Sequence, residues 1–170
     1  MRGKFVAAIL TAALTACTAA SAQNSAEQPF LTKAIEGNLA EVQMGQLAQK
    51  NGASQDVRSF GQMLETDHGE ANQKAKHAAA ALRMNAPSQP NGEQKADLDR
   101  LAKMNGTMFD VEFVKHMIMD HEKDIREYET ASSMPGPVGS YAKESLPTLR
   151  RHLQTAQSIL PAATTGAGHR

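Results

Sequence analysis

Apolar residues recur at three- and four-residue spacing through most of the chain, the period of a helix with one buried face. The first stripe is Phe30, Ala34, Gly37, Glu41, Met44 and Ala48, widened by Leu31, Ile35, Val42 and Leu47. Gln23 to Gln28 ahead of it reads as a polar leader. Asn51-Gly52 stops the helix as a left-handed cap does. Ser54 opens the next as its N-cap, with Asp56 in the first turn. That second stripe is Val57, Phe60, Leu64, His68, Ala71, Ala75, Ala78 and Leu82, ending near Met84. "NAPSQPNG", Asn85 to Gly92, breaks the pattern with two prolines and a glycine. Glu93 to Lys103 reads as a short connecting helix, stopped by Asn105-Gly106. Thr107 opens the third long helix, with Asp110 completing an approximate capping box. Phe113, Met117, His121, Ile125 and Tyr128 face inward, and "MPGP", Met134 to Pro137, ends it. The fourth helix runs from about Val138 to Leu160 on a stripe of Val138, Ala142, Leu146, Leu149, Leu153, Ala156 and Leu160. Pro147 lies inside it and is expected to kink it, because proline lacks a donor and crowds the preceding turn.

No segment alternates as a strand does. The pattern predicts an all-α fold, a ferritin-like four-helix bundle with a long connection carrying a short helix between helices 2 and 3. That connection, Asn85 to Gly106, is long enough to cross the bundle, while the other two are short. The predicted order is therefore up-down-down-up. The bundle domain is expected over 29–160, with 161–170 as a disordered tail.

The N-terminus changes the picture of where the bundle works. Arg2 and Lys4 flank a short apolar run from Phe5 to Ala16, and Ala20-Ser21-Ala22 is a small-residue cleavage site. The expectation is a signal peptide over 1–22 and an exported, periplasmic protein. The alternative uses "LTAC", Leu14 to Cys17, as a lipoprotein box, which would tether the protein to a membrane through Cys17. Cys17 is the single cysteine, so no disulfide framework is available.

Eighteen basic and eighteen acidic residues leave no net charge and no basic face for nucleic acid. Tryptophan is absent. No nucleophile elbow or phosphate-binding glycine loop occurs. A non-enzymatic role is expected on this reading.

The candidate chemistry is a polar layer. His68, His121 and His152 each lie fourteen residues beyond their predicted helix starts at Ser54, Thr107 and Val138, and Glu41 lies fourteen beyond Glu27. At a rise of about 1.5 Å per residue, each sits roughly 21 Å along its helix. Three imidazoles and a carboxylate at one level are a candidate metal site. Glu65, three residues before His68, and Asp124, three after His121, are placed to orient the rings. Asp67 and Asp120 adjoin histidines in sequence and so face elsewhere, toward a basic group on another helix or solvent.

The rival reading is a hydrogen-bonded network that fixes how the helices dock. Glu65-x-x-His68 matches one element of a di-iron bundle, but Leu149-x-x-His152 lacks the acid and Glu112-x-x-x-His116 has the wrong spacing. Met44, Met63 and Met117 lie about a turn from the layer and suit copper, especially Cu(I), as readily as they fill a core. Iron or copper is the expected metal. His77, His116 and His169 have no convergent partners in sequence.

"FLTKAIEGNLAEVQMGQLAQKNGASQDVRSFGQMLETDHGEAN", "FVKHMIMDHEKDIREYE" and "LPTLRRHLQTAQ" occur in that order and span nearly all of the chain beyond Pro29. They resemble domain-of-unknown-function family 4142, exported bacterial proteins with a ferritin-like bundle. Glu41, Asp67, His68, Asp120, His121, Pro147 and His152 match its motif positions. The resemblance implies the fold and an envelope location, and it carries no established activity. The leading expectation is thus an envelope structural or interaction module whose partner is another envelope protein or a second copy. The alternative is a metal-binding periplasmic protein using Glu41, His68, His121 and His152. An oxidoreductase would require an open coordination position and a substrate path, for which the sequence gives no sign.

Overall fold

The computed structural model describes residues 14–165, with side chains from Ala26 onward. Five helices account for the described chain: α1 (Leu14–Asn51), α2 (Gln55–Ala81), α3 (Gly92–Leu101), α4 (Gly106–Ala131) and α5 (Gly136–Thr165). Among the described residues the only extended pairing is an isolated bridge between Gly52 and Gly106.

Two apolar clusters define how the helices run. One gathers Phe30, Leu31 and Ile35 of α1, Ala75 and Ala79 of α2, Tyr128 and Ala131 of α4, and Val138, Tyr141 and Leu146 of α5. The other gathers Met44 and Ala48, Val57 and Phe60, Phe109 and Phe113, and Ala156 and Ile159. The first end therefore holds the early part of α1 and α5 and the late part of α2 and α4. That is an up-down-down-up order, with the connection through α3 crossing between ends.

The helix ends differ from expectation in three places. α1 begins at Leu14 and runs through the expected polar leader and the position of the expected cleavage site; residues 1–13 lie outside the described residues. Its leader includes Ala26, Glu27 and two glutamines, which favour helix, and Glu27 is already buried. At the other end α5 continues through Pro161 to Thr165, because Ala163 extends the buried stripe of Ala156 and Ile159 by one turn. The remaining tail, 166–170 with His169, lies outside the described residues. α5 also stays continuous through Pro147, whose side chain is exposed.

Asp110 is the third difference. It does not box the start of α4, where Asn105 is the N-cap. It is buried, and its two carboxylate oxygens accept from the backbone N–H groups of Ala53 and Ser54, each at 2.9 Å. α4 thereby fastens the turn between α1 and α2. Asn51 Nδ2 adds a bond to Met104 O at 2.8 Å. A true capping box starts α3, between Asn91 and Gln94.

The first hairpin is held at very close range. A Cβ on Gly61 would come within 2.6 Å of Gly45 O, and one on Gly45 within 2.4 Å of Gly61 O. Only glycine lets the two backbones approach this closely.

Candidate metal centre

The two apolar clusters leave a gap at mid-bundle, and polar residues fill it. Asn38 and Glu41 fall between Ile35 and Met44 on α1, His68 and Asn72 between Leu64 and Ala75 on α2, His121 between Met117 and Tyr128 on α4, and His152 between Leu149 and Ala156 on α5. The helical counting thus places all three histidines in one layer. His68 is 3% exposed, His121 2% and His152 0%. Their facing nitrogens all lie within 4.8 Å of one another.

The outward nitrogens decide what the inward ones can do. His68 Nδ1 is 2.9 Å from Asn38 Oδ1. Asn38 Nδ2 donates to the Tyr141 hydroxyl at 2.9 Å, which leaves Asn38 Oδ1 turned to the ring as an acceptor. His68 Nδ1 therefore carries the proton. His121 Nδ1 donates to the Met117 backbone carbonyl, 2.9 Å away. His152 Nε2 donates to Asp67 Oδ2 at 2.7 Å, and the same oxygen accepts from Arg151 Nη2 at 2.7 Å. Three N–H groups point at an amide oxygen, a carbonyl and a carboxylate. Three bare nitrogens are left facing inward: His68 Nε2, His121 Nε2 and His152 Nδ1.

Electrostatics keeps the rings neutral. Burial pushes all three imidazoles below their ordinary range, His68 strongly and His121 to about 3. Asp67 opposes that effect at His152 without reversing it. With neutral rings, the 3.3 Å approach of His121 Nε2 to His152 Nδ1 sets lone pair against lone pair. His68 Nε2 is buried with no hydrogen-bond partner. A buried acceptor without a donor is costly, and convergent acceptors without donors are what a cation satisfies.

Glu41, the fourth expected ligand, stands apart. Its Oε1 is 3.7 Å from His121 Nδ1, the nitrogen bonded to Met117. It lies nearest the outer nitrogen of that ring and is not among the groups whose ligand atoms come within 4.8 Å of one another. Its carboxyl is held well above the usual range, first by burial and then by Asp120 and Asp124, and its Oε2 has no hydrogen-bond partner.

The two expected orienting acids do not orient the rings. Glu65 accepts from Gln46 and Gln49 of α1, at 2.8 and 2.7 Å. Its backbone sits against Gly45, so its side chain lies along the α1–α2 seam. Asp124 is half-buried and pushed up to about 8, first by burial and then by Asp120 and Glu127. The three ring N–H groups go instead to Asn38, Met117 O and Asp67.

Asp67 meets the expectation that it faces another helix: it holds both Arg151 and His152. Sequence reasoning passed over Asn38, whose only signal is its place on the buried face of α1, one turn before Glu41. It also passed over Tyr141, which links Asn38 to Tyr128 through a 3.0 Å hydroxyl contact. Met44 and Met117 are buried in an apolar cluster, and half-buried Met63 packs against it.

Fold and site together define an all-helical bundle with a buried triad of histidines, each oriented from behind by its own acceptor. The chain belongs to the family described as domain of unknown function (DUF4142), which matches residues 12–159. No curated protein and no solved structure matches it. Among the described residues no helix is long and apolar enough to cross a membrane.

Proposed function

We propose that this protein binds one transition-metal ion at His68, His121 and His152, with Asn38, Met117 O and Asp67 orienting the rings. The carrying observation is the convergence of one nitrogen from each of the three rings within 4.8 Å in a buried layer. Ligating histidines characteristically donate their other N–H to a carboxylate, carbonyl or similar acceptor, the pattern found at all three rings here. Imidazole suits zinc, copper and iron. A docking network fits less well: it would close its hydrogen bonds, and His68 Nε2 and the His121–His152 contact leave this one open.

The site is read as part of an exported protein of the bacterial envelope. Arg2, Lys4, the apolar run and Ala20-Ser21-Ala22 support that reading. The single long crossing connection supports a ferritin-like bundle.

The test is thermal unfolding of the untagged protein with and without zinc or copper. An ion at one hundred times its dissociation constant stabilises by about 2.7 kcal/mol, roughly 5–11 °C for a chain of this size. The rise is expected in wild type and absent in His68→Ala. Equal melting temperatures with and without metal in wild type would refute the reading.

A further inference from the structure

We infer that the metal keeps one coordination position for a small uncharged ligand, admitted through a cavity between α2 and α5. The inference rests on the metal-binding reading above and deepens it.

Three protein nitrogens are too few for the four-coordinate closure of a structural site, whereas three ligands plus an exchangeable position is the pattern of a reactive one. Asp67 is taken up by the outer nitrogen of His152 at 2.7 Å, and Glu41 stands 3.7 Å from the outer nitrogen of His121. Among the described residues, neither acid joins the three histidines in the group whose ligand atoms lie within 4.8 Å of one another. The fourth ligand therefore comes from outside the chain.

A route exists. A cavity of about 60 Å³ is walled by His68 itself, by Asn38 and Asp67, which orient His68 and His152, and by Tyr141 and Thr148. That volume holds a few water-sized molecules. It touches one ligand, His68, and the supports of two; His121 and His152 do not line it, so a molecule entering from it must pass beside the His68 ring to reach the metal. Of the acids and bases lining it, Asp67, Glu70 and Glu144 outnumber Lys74. Glu70 and Glu144 are exposed at its outer side. An acidic entrance disfavours anions, and the size excludes anything beyond a few heavy atoms. Water, dioxygen and hydrogen peroxide fit both limits.

The test uses the full chain loaded anaerobically with Cu(I), and carbon monoxide as a neutral two-atom probe. Copper content and the infrared C–O stretching band are read on the same sample. One copper per chain with a saturable C–O band is expected. Thr148→Phe, which fills the cavity from a half-buried position, is expected to slow carbon monoxide binding at least tenfold with copper content unchanged.

Copper bound without a C–O band overturns this inference alone. A band that then emerges in Glu41→Gln would identify Glu41 as the fourth ligand, with the same consequence. An unslowed Thr148→Phe overturns the route. Failure of wild type to retain copper overturns this inference, and if zinc also leaves the melting temperature unchanged the metal reading falls with it.

Discussion

His121 Nε2 stands 3.3 Å from His152 Nδ1 at the centre of the bundle, and neither nitrogen has a proton to share when the rings are neutral. Tetrahedral zinc with Zn–N bonds of about 2.0–2.1 Å spaces its nitrogens by about 3.3–3.4 Å. The helices thus hold this pair at a ligand spacing, with His68 close by. Each ring is fixed from a different source: a side-chain amide on α1, the carbonyl one turn back on α4, and a carboxylate on α2.

Asp67 is the most exposed of these supports and the simplest to alter. Asp67→Asn removes the charge that fixes His152 with Nε2 protonated, and its amide can donate to Nε2 and turn the proton inward. Metal affinity is expected to fall by about 10–100-fold. Stability should change by less than about 1 kcal/mol, since the Arg151 pair is an exposed one. Competition with a chromophoric chelator measures the affinity, and an unchanged value would show that Asp67 does not orient a ligand.

Burial gives the metal-free protein two opposed responses to pH. His121 titrates near 3 when folded, against an ordinary 6.5, so the unfolded chain binds more protons between those values. Its contribution to stability grows as pH rises through that window and is complete above 6.5. Asp124 titrates near 8 when folded, against an ordinary 3.8, so the folded chain binds more protons there. Its contribution is full below 3.8 and is lost as pH rises toward 8. Asp124→Asn cannot ionise. Its melting temperature should gain on wild type by up to roughly 3–5 °C for each pH unit between about pH 5 and pH 8. A difference that stays flat across that range would contradict the raised carboxyl.

The two helical glycines of α2 should respond oppositely to alanine. At Gly61 a Cβ meets Gly45 O and the Ala48 Cβ, at 2.6 and 2.7 Å, so the α1–α2 seam must open at a cost of about 1–3 kcal/mol. At Gly69 a Cβ meets nothing within 4 Å. Gly69→Ala should stabilise by about 0.5–1 kcal/mol through helix propensity alone. Chemical denaturation of both variants checks the pair, and equal effects would mean that the close approach is not as drawn.

Asp110→Ala leaves the Ala53 and Ser54 amides without their acceptors. A loss of about 1–3 kcal/mol is expected, with metal affinity unchanged because the turn lies at the end of the bundle beyond Phe60 and Phe113. A large change in metal affinity would show that the end and the middle of the bundle are coupled.

The layer of histidines was legible in the sequence because helical rise is constant. Residues equally far along helices of similar length meet at one level whichever way the helices run. The long stretch between Met84 and Thr107 likewise announced the crossing connection. What the sequence did not carry was rotation and partnership between helices. Glu41 shares the layer, but the turn of α1 about its axis leaves its carboxyl by the outer nitrogen of His121, with Asn38 reaching His68 instead. Asp67 binds His152 from 85 positions away, a pairing that exists only once α2 packs on α5. Asp110 matched a local capping pattern, and burial against the α1–α2 turn overrode it. The end of α5 ran past its expected limit because buried Ala163 rewards an extra turn that composition alone does not mark.

The most direct test of the central claim is the metal content of the untagged protein as isolated, by mass spectrometry, beside His68→Ala/His121→Ala. Close to one transition-metal ion per chain in wild type, lost in the double variant, is the expected result. No metal in wild type as isolated, and none retained after incubation with zinc, copper or iron, would contradict the account.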